Sequence, residues 1–279
     1  MDTAIHPCVA KKEYRGMDQN SNDLEKSFEK IAELYDEETK TFHHEISFYL
    51  TIQNMLQELP KDRNLKILDS GGGTGKFTLY LNKLGYKIQL TDISPKSIDI
   101  AKEKAKKERI DILTQVCNSE ETPYANDSFD FVMMNGGVIS YTPNPIKLIR
   151  EAYRILKPKG ILWFDFLNSL GWAIETQDVN FKTQLALEKD KLIQMPDWDY
   201  PARVMSLDYV KQLLEQNSFR IKSQYGLVLL SNSLPLDKRY SKKYDKELLD
   251  KYKKIELELS RRTDCVGASW SCSICAIKE

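Results

Sequence analysis

The sequence is poor in several features that mark particular classes of protein. Its 279 residues include three histidines and five scattered cysteines, an odd number that does not suggest a disulfide framework. No apolar run has the length of a signal-peptide core or of a membrane span. The 41 basic residues balance 41 acidic ones, which argues against a nucleic-acid partner without excluding a local basic patch. We therefore expect a soluble cytoplasmic protein with no membrane partner.

Glycine is scarce as well, but it is concentrated at one place. Four of the 12 glycines lie within residues 71–75, directly after the apolar run "KILDS". Because glycine loses the most conformational freedom on folding, such a cluster indicates that something approaches the backbone closely. The spacing fits neither G-x-G-x-x-G nor G-x-x-x-x-G-K-[ST], since Lys76 and Phe77 occupy positions that those patterns reserve for other residues. The pattern that does fit is D-x-G-x-G-x-G, from Asp69 to Gly75.

From residue 62 onward, strand patterns alternate with helix patterns. The strands are predicted at "KILDS", "KIQLTDIS", "IDILTQVC", "FDFVMMNG" and "GILWFDFLN". This alternation predicts an α/β protein with a doubly wound, mostly parallel sheet and helices on both faces. Two later runs, "FRIKSQYGLVLL" and "SWSCSICAIK", predict two more strands and a total of seven, and 236–260 is predicted as one charged helix.

The rest of the chain predicts additions to this core. Residues 1–22 are polar and irregular, which indicates a flexible N-terminal extension or flap, and 23–279 are predicted to form a single domain with its core at 62–168. Before the core, Phe28, Ile31, Leu34 and Tyr35 have helical spacing. Two insertions, 170–205 and 231–260, are expected to bind the substrate together with the N-terminal helices.

Four ordered motifs resemble those of the class I S-adenosylmethionine-dependent methyltransferases. The first is D-x-G-x-G-x-G; the second is Asp92 in "LTDIS", where a carboxylate accepts both ribose hydroxyls. The others are "CNSEETPYANDSFDFV", in which the residue at Asn118 contacts adenine in the family, and "REAYRILKPKGIL". The resemblance covers roughly 62–168. It implies a Rossmann-like fold with an antiparallel edge hairpin, S-adenosylmethionine as cofactor and S-adenosylhomocysteine as product.

The resemblance also implies a set of site residues. Asn118 stands where the family has aspartate, so its amide oxygen is expected to accept from adenine without charge assistance. The catalytic candidates are Tyr35, Tyr141 and Asp165, although core alternation is also compatible with Asp165 buried next to a helix terminus. The cofactor-binding candidates are Asp69, Gly71, Gly73, Gly75, Asp92, Ile93, Asn118, Ser119, Asn135 and Tyr35.

No metal site is expected. Cys272 and Cys275 lie in a predicted strand, where positions three apart point to opposite faces, and no second C-x-x-C accompanies them. His43 and His44 favour surface or capping roles, with an approach of one of them to the active site as the alternative.

The methyl acceptor is predicted to be a small molecule or a peptide natural product, with an amine favoured. An α-amino group has a pKa of about 7.7–8.0, so a useful fraction is neutral without strong catalysis. The chain also resembles the plantazolicin-type peptide N-methyltransferases, which implies that Asp36, Glu37, Glu38 or Asp165 pairs with a substrate guanidinium.

Two other functions stay open from the sequence. The stretches "DSGGGTG" and "KKIELELSRR" resemble enzymes that methylate a wobble-uridine carboxylate of tRNA. The third alternative is a binding module that keeps the S-adenosylmethionine pocket without catalysis. Steepening of binding at low salt would favour the tRNA alternative, and cofactor binding without turnover would favour the module.

Overall fold

The computed structural model describes residues 20–176, 178–194 and 199–279. Nine strands make up its sheet. In chain order they are β1 (Ile67–Ser70), β2 (Ile88–Asp92), β3 (Leu113–Val116), β4 (Phe129–Met134), β5 (Leu156–Asn168), β6 (Asp190–Ile193), β7 (Ala202–Met205), β8 (Phe219–Leu227) and β9 (Ser271–Lys278).

Helices occupy most of the connections between the strands. They are α1 (Ser21–Glu38), α2 (Phe42–Glu58), α3 (Lys76–Lys83), α4 (Pro95–Glu108), α5 (Val138–Tyr141), α6 (Pro145–Ile155), α7 (Ser169–Glu175), α8 (Val179–Leu187), α9 (Leu207–Glu215), α10 (Leu236–Arg239), α11 (Lys246–Ser260) and α12 (Thr263–Val266). A short 3₁₀ turn covers Ser231–Ser233.

The order of the strands confirms a doubly wound sheet. It runs β3-β2-β1-β4-β5-β7-β6, and β9 pairs antiparallel with both β5 and β8. β1 to β5 pair in parallel with one another, as buried strand–helix alternation requires. Because β1 lies between β2 and β4, the chain reverses its direction of travel across the sheet there, and the loop after β1 lies at the switch point where ligands bind.

The sheet has two strands more than the seven predicted. β6 and β7 form an antiparallel pair inside the 170–205 insertion, and β7 joins the end of β5 at Leu167 and Asn168. Both strands are four residues long and carry charged side chains, with Arg203 paired to Asp190 at 2.8 Å. Such short strands give no recognisable period-two apolar pattern, which is why the sequence did not reveal them.

The predicted helix over 236–260 is also interrupted. α10 ends at Arg239, and α11 starts only after Asp245, whose carboxylate accepts from the backbone N–H of Glu247. An aspartate cap of this kind starts a new helix rather than continuing one. At the other terminus, the flexible extension predicted for 1–22 falls mostly outside the described residues, and the last two of those positions belong to α1.

The apolar core lies on both faces of the sheet. One side packs α6 and α9 against β4 and β5, with Ile149 and Leu213 among its buried residues. The other side packs α2 and α3 through Ile52 and Leu81. Among the helices of the described residues, none combines the length and the apolar character needed to cross a bilayer.

Candidate active site

The glycine loop lies between β1 and α3 and turns through left-handed backbone. Gly71, Gly73 and Gly75 have φ of +73°, +55° and +79°, a region that side chains rarely adopt. A Cβ at Gly72 would lie 2.4 Å from Leu90 Cδ1, whereas a Cβ at Gly73 would meet no atom within 4 Å. The loop is therefore tight against β2 on one side and open to a ligand on the other.

Asp69 and Gly75 support the loop from behind, since neither lines the cavity described below. The Asp69 carboxyl is fully buried, and its Oδ2 accepts a 2.7 Å hydrogen bond from Thr78 Oγ1. Burial raises the pKa of Asp69 to about 7, and the neighbouring Asp92 adds to the rise. The expected ligand contact by Asp69 is therefore replaced by a contact that ties the loop to α3.

Asp92 ends β2 and faces a cavity that we call the central cavity. Its Oδ2 accepts from Gly73 N at 2.8 Å and its Oδ1 from Ser94 N at 2.9 Å. Each carboxylate oxygen keeps one more lone pair, so both can still accept a hydroxyl. Ile93 lines the same cavity next to Asp92. Ser94, rather than Asp92, caps α4, by accepting from Ser97 N.

Asn118 and Ser119 follow β3 and line the central cavity beyond Asp92. Asn118 Oδ1 accepts from Glu120 N, and Nδ2 donates to Ser21 Oγ, each at 2.9 Å. The amide oxygen therefore keeps one lone pair for an adenine amine. Ser119 Oγ accepts a 2.9 Å hydrogen bond from Ser70 Oγ, which connects the end of β1 to the residues that follow β3.

Helix α1 covers one side of the central cavity. Its lining residues are spaced i, i+4, i+7, i+8 and i+11, which places them on one helical face. They are Leu24, Phe28, Ile31, Ala32 and Tyr35. Leu34, which the sequence grouped with them, lies on the other face and is 53% exposed. Both ends of α1 are attached, the first by Ser21 to Asn118 and the last by Asp36 to Thr74 at 2.7 Å.

The catalytic candidates lie together at the inner part of the central cavity. Asp165, Asn135, Tyr141 and Tyr35 all line it. Asp165 accepts from the N–H groups of Gly136 and Gly137 at 3.1 and 2.5 Å, so it is both next to the start of α5 and in the cavity. Burial raises the pKa of Asp165 to about 6. Burial, with Asp165 nearby, raises the pKa of Tyr35 to about 12 and keeps its hydroxyl protonated.

Asn135 and Tyr141 are held by aromatic neighbours. Asn135 Oδ1 accepts from Trp163 Nε1 at 2.9 Å, which leaves its amide N–H groups pointing toward Met55, with Sδ at 4.0 Å. The ring of Tyr141 stands edge-on to Phe28, with centroids 5.7 Å apart. The aromatic contact connects α5 to the cavity face of α1.

A second buried group, which we call the tryptophan cluster, comprises Trp172, Trp270, His43 and Tyr240. Trp270 stacks on Trp172 at 5.6 Å and meets His43 edge-on at 4.6 Å, and His43 lies 5.3 Å from Tyr240. Within the described part of the chain, neither indole N–H and neither ring nitrogen of His43 has a hydrogen-bond partner. Unpaired buried polar atoms of this kind require an explanation, such as a ligand or water.

Two cavity residues, His44 and Lys76, were not among the site residues that the sequence indicated. His44 lines the central cavity, and its Nδ1 lies 2.7 Å from Thr41 Oγ1. The two roles that the sequence left open, capping and an approach to the active site, therefore apply to the same side chain. Burial and the nearby Lys76 lower the pKa of His44 to about 4. Lys76 also lines the cavity. The position of Lys76 directly after the last glycine of the loop is the sequence signal by which it could have been found.

The last residues that the sequence singled out are the two cysteines of the final strand. Cys272 and Cys275 are both buried in β9. Within the described ranges, no group of three or more His, Cys, Asp or Glu side chains is arranged to hold a metal ion.

The residues of the central cavity fit S-adenosylmethionine. Asp92 offers two acceptor oxygens for the ribose hydroxyls, and Asn118 offers one for adenine. The open side of Gly73 lets the ligand touch the backbone. The buried, anionic Asp165 suits the positive charge of a sulfonium.

Comparison with known proteins agrees with this fit. Residues 68–164 match the family described as a methyltransferase domain. A mitochondrial 2-methoxy-6-polyprenyl-1,4-benzoquinol methylase from Caenorhabditis elegans is 38% identical over 116 residues, 38% of this chain and 40% of that protein. This chain therefore spans well under two thirds of that relative.

Solved structures share the fold over more of the chain. A SAM-dependent methyltransferase from Thermotoga maritima, described as a possible histamine N-methyltransferase, has a TM-score of 0.59 and 17% identity. The match covers 92% of this chain and 100% of that one. A SAM-dependent methyltransferase from Methanosarcina mazei has a TM-score of 0.56 and 19% identity, covering 80% and 96%.

The strand order and the solved structures show a Rossmann-like methyltransferase fold. Within this fold, residues 68–164 match a methyltransferase domain.

Proposed function

We propose that the chain transfers a methyl group from S-adenosylmethionine to a small molecule, with an amine as the acceptor group. The observation that carries this proposal is the central cavity, which joins Asp92 and Asn118 to Asp165 without interruption. The match to the quinol methylase covers 38% of this chain, and the match to the methyltransferase domain covers residues 68–164. The elements expected to bind the acceptor, α1, α2, α7 and α10, lie outside the matched residues 68–164.

Asp165 supports an amine as the acceptor. Of the four carboxylates expected to meet a cationic substrate, three already have cations of this chain: Asp36 pairs with Lys104, Glu37 with Lys40, and Glu38 with Lys242. Among the residues that the structure describes, Asp165 accepts only from the backbone N–H groups of Gly136 and Gly137. It therefore has the capacity to receive a substrate ammonium, which a carboxylate in a buried cavity binds strongly.

The chemistry requires alignment more than covalent help. S-adenosylmethionine supplies the methyl group, which moves in line from the sulfonium to the acceptor nitrogen. Asp165 holds the amine and accepts its proton, so that the nitrogen lone pair is free. Tyr35 and Asn135 restrict the amine from two sides, and α1 excludes water from the cavity.

The aromatic face of α1 supports a peptide as the carrier of that amine, because flat azole rings of a modified peptide can pack on aromatic side chains. The tryptophan cluster lies behind this face, and none of its four residues lines the central cavity. Phe28 and Leu24 pack against the aromatic cluster that contains Trp172 and also line the central cavity. A plantazolicin-type N-terminal amine is the finer form of our proposal.

Methyl-labelled S-adenosylmethionine tests this function. We expect label on peptides with a free N-terminal amine and none on the same peptides after N-acetylation. Asp165→Asn is expected to lower the rate, while the affinity for S-adenosylhomocysteine, which lacks the sulfonium charge, is expected to change little when measured by calorimetry. Label on a quinol, or on a tRNA anticodon stem, would contradict the amine acceptor. Cofactor binding with no transfer to any acceptor would favour the non-catalytic module.

The tRNA alternative gains no support from its basic segment. In the stretch "KKIELELSRR", Lys253, Arg261 and Arg262 each contact an acidic or amide side chain of this chain. These pairings reduce the positive charge that the segment offers to phosphates.

A further inference from the structure

Lys76 is a mostly buried cation that has no acidic partner among the described residues. It is the first residue of α3, and its ammonium lies 4.5 Å from the centre of the Phe48 ring, in the wall of the central cavity. Among the described residues, no carboxylate oxygen lies within 4.0 Å of Lys76 Nζ. Burial lowers the pKa of Lys76, because a desolvated ammonium is costly unless it is paired.

The acidic side chains nearest to Lys76 have other cations. Asp36 accepts from Thr74 Oγ1 and from Lys104 Nζ, both at 2.7 Å. Glu45 pairs with Lys253 at 3.8 Å. Lys76 is therefore available to an anion that enters the cavity.

The position of Lys76 identifies which part of the cofactor it meets. Asn118 contacts the first turn of α1, whereas Thr74 contacts Asp36 in its last turn. Those contacts lie 15 residues apart along α1, or about 22 Å, so the adenine end and the Thr74 end of the cavity are well separated. Lys76 lies two residues from Thr74, at the end away from Asn118.

We propose that Lys76 Nζ binds the α-carboxylate of the methionine part of S-adenosylmethionine and so selects ligands that carry it. The proposal rests on the proposed function, because it assigns one contact within the same cofactor site. Lys76 is then a positioning residue that fixes the methionine chain and, through it, the direction in which the methyl group points.

Calorimetry with two thioethers tests the assignment. S-adenosylhomocysteine carries the amino-acid carboxylate, and 5′-methylthioadenosine has the same nucleoside and sulfur without it. We expect Lys76→Met to weaken S-adenosylhomocysteine binding about 10- to 100-fold, the range for a lost charged hydrogen bond. Binding of 5′-methylthioadenosine is expected to stay unchanged, and Lys76→Arg is expected to retain most of the affinity for S-adenosylhomocysteine.

The matched control is Lys83→Met, in the last turn of the same helix, where the side chain is half exposed and pairs with Glu108. It is expected to leave both affinities unchanged. Equal weakening of both ligands by Lys76→Met, or no weakening of S-adenosylhomocysteine, would overturn the assignment. If the unmodified protein binds neither thioether, the cofactor site itself is wrong, a result that is distinct from a failure at Lys76 alone.

Discussion

Asp92 has two tasks that its position makes inseparable. Its carboxylate orders the glycine loop through Gly73 N, and it faces the cavity where the ribose is expected. Asp92→Ala is therefore expected to reduce S-adenosylhomocysteine affinity by about 1–3 kcal/mol, the scale of a lost charged hydrogen bond.

Calorimetry measures this loss. Asp99→Ala, on the exposed side of α4, serves as the control, because Asp99 pairs only with Lys102 at the surface. Unchanged affinity of the Asp92 variant would reject the ribose contact.

The buried Asp69 predicts how the free energy of unfolding changes with pH. Its pKa is about 7 in the folded protein and about 3.9 in an unfolded chain, so the folded state binds the proton more tightly. The contribution of Asp69 to stability is therefore largest below about pH 4 and is lost as the pH rises from about 4 to about 7. Asp165, with a folded pKa of about 6, adds a similar fall that ends about one unit earlier.

Asp69→Asn is expected to flatten this fall. The amide keeps the shape of the carboxyl and can still accept from Thr78, but it does not ionise. Urea unfolding without cofactor, at about pH 5 and about pH 7.5, measures the difference. An equal pH dependence in the variant and the parent protein would show that Asp69 does not cause it.

At the scale of single elements, α1 has two faces with different tasks. Phe28 lies in the cavity wall, and Leu34, on the same helix, is exposed. Phe28→Ala is expected to weaken S-adenosylhomocysteine binding and to speed its release, because the wall of the cavity loses an aromatic ring. Leu34→Ala removes a similar amount of side chain from the outer face and is expected to change neither.

Stopped-flow fluorescence of S-adenosylhomocysteine release would compare the two variants. Equal effects would mean that α1 contributes through its own stability rather than through its cavity face.

The sequence predicted those elements that have strong local signals. The alternation from 62 to 168 predicted five parallel strands, which the structure confirms. The helix α4 starts at Pro95 after Ser94, and a proline in the first turn after a serine cap is a local signal of this kind. It did not predict β6 and β7, because their pairing depends on the distant end of β5. It also did not separate Leu34 from Phe28, since spacing alone does not identify the face that is covered.

The candidate site was predictable to a similar degree. The positions of Asp92 and Asn118 at strand ends followed from the alternation and the motif resemblance. The role of Asp69 behind the loop did not, because it depends on the contact with Thr78, a residue of the next helix. The availability of Lys76 also required the structure, since it depends on Lys104 and Lys253 pairing with the neighbouring carboxylates.

At the scale of the whole molecule, the central cavity is built from segments of α1, α2 and the loops after β1, β2, β3 and β4. A ligand bound there contacts nearly every layer of the domain and binds only the folded form. S-adenosylhomocysteine at about 100 times its dissociation constant is therefore expected to add about 2.7 kcal/mol to the free energy of unfolding.

Urea unfolding measures this gain, and NAD⁺ at the same concentration is the control, because the loop lacks the dinucleotide pattern. Equal stabilisation by NAD⁺ would contradict the assignment of the cavity to S-adenosylmethionine.

The attachment of α1 at both of its ends also has a kinetic consequence. Ser21 and Asp36 must leave Asn118, Thr74 and Lys104 before the helix can move as a unit away from the cavity. The observed rate of cofactor association is then expected to stop rising at high cofactor concentration, at the rate with which the helix detaches. If S-adenosylhomocysteine leaves by the same movement, the detachment rate is also the upper limit on turnover.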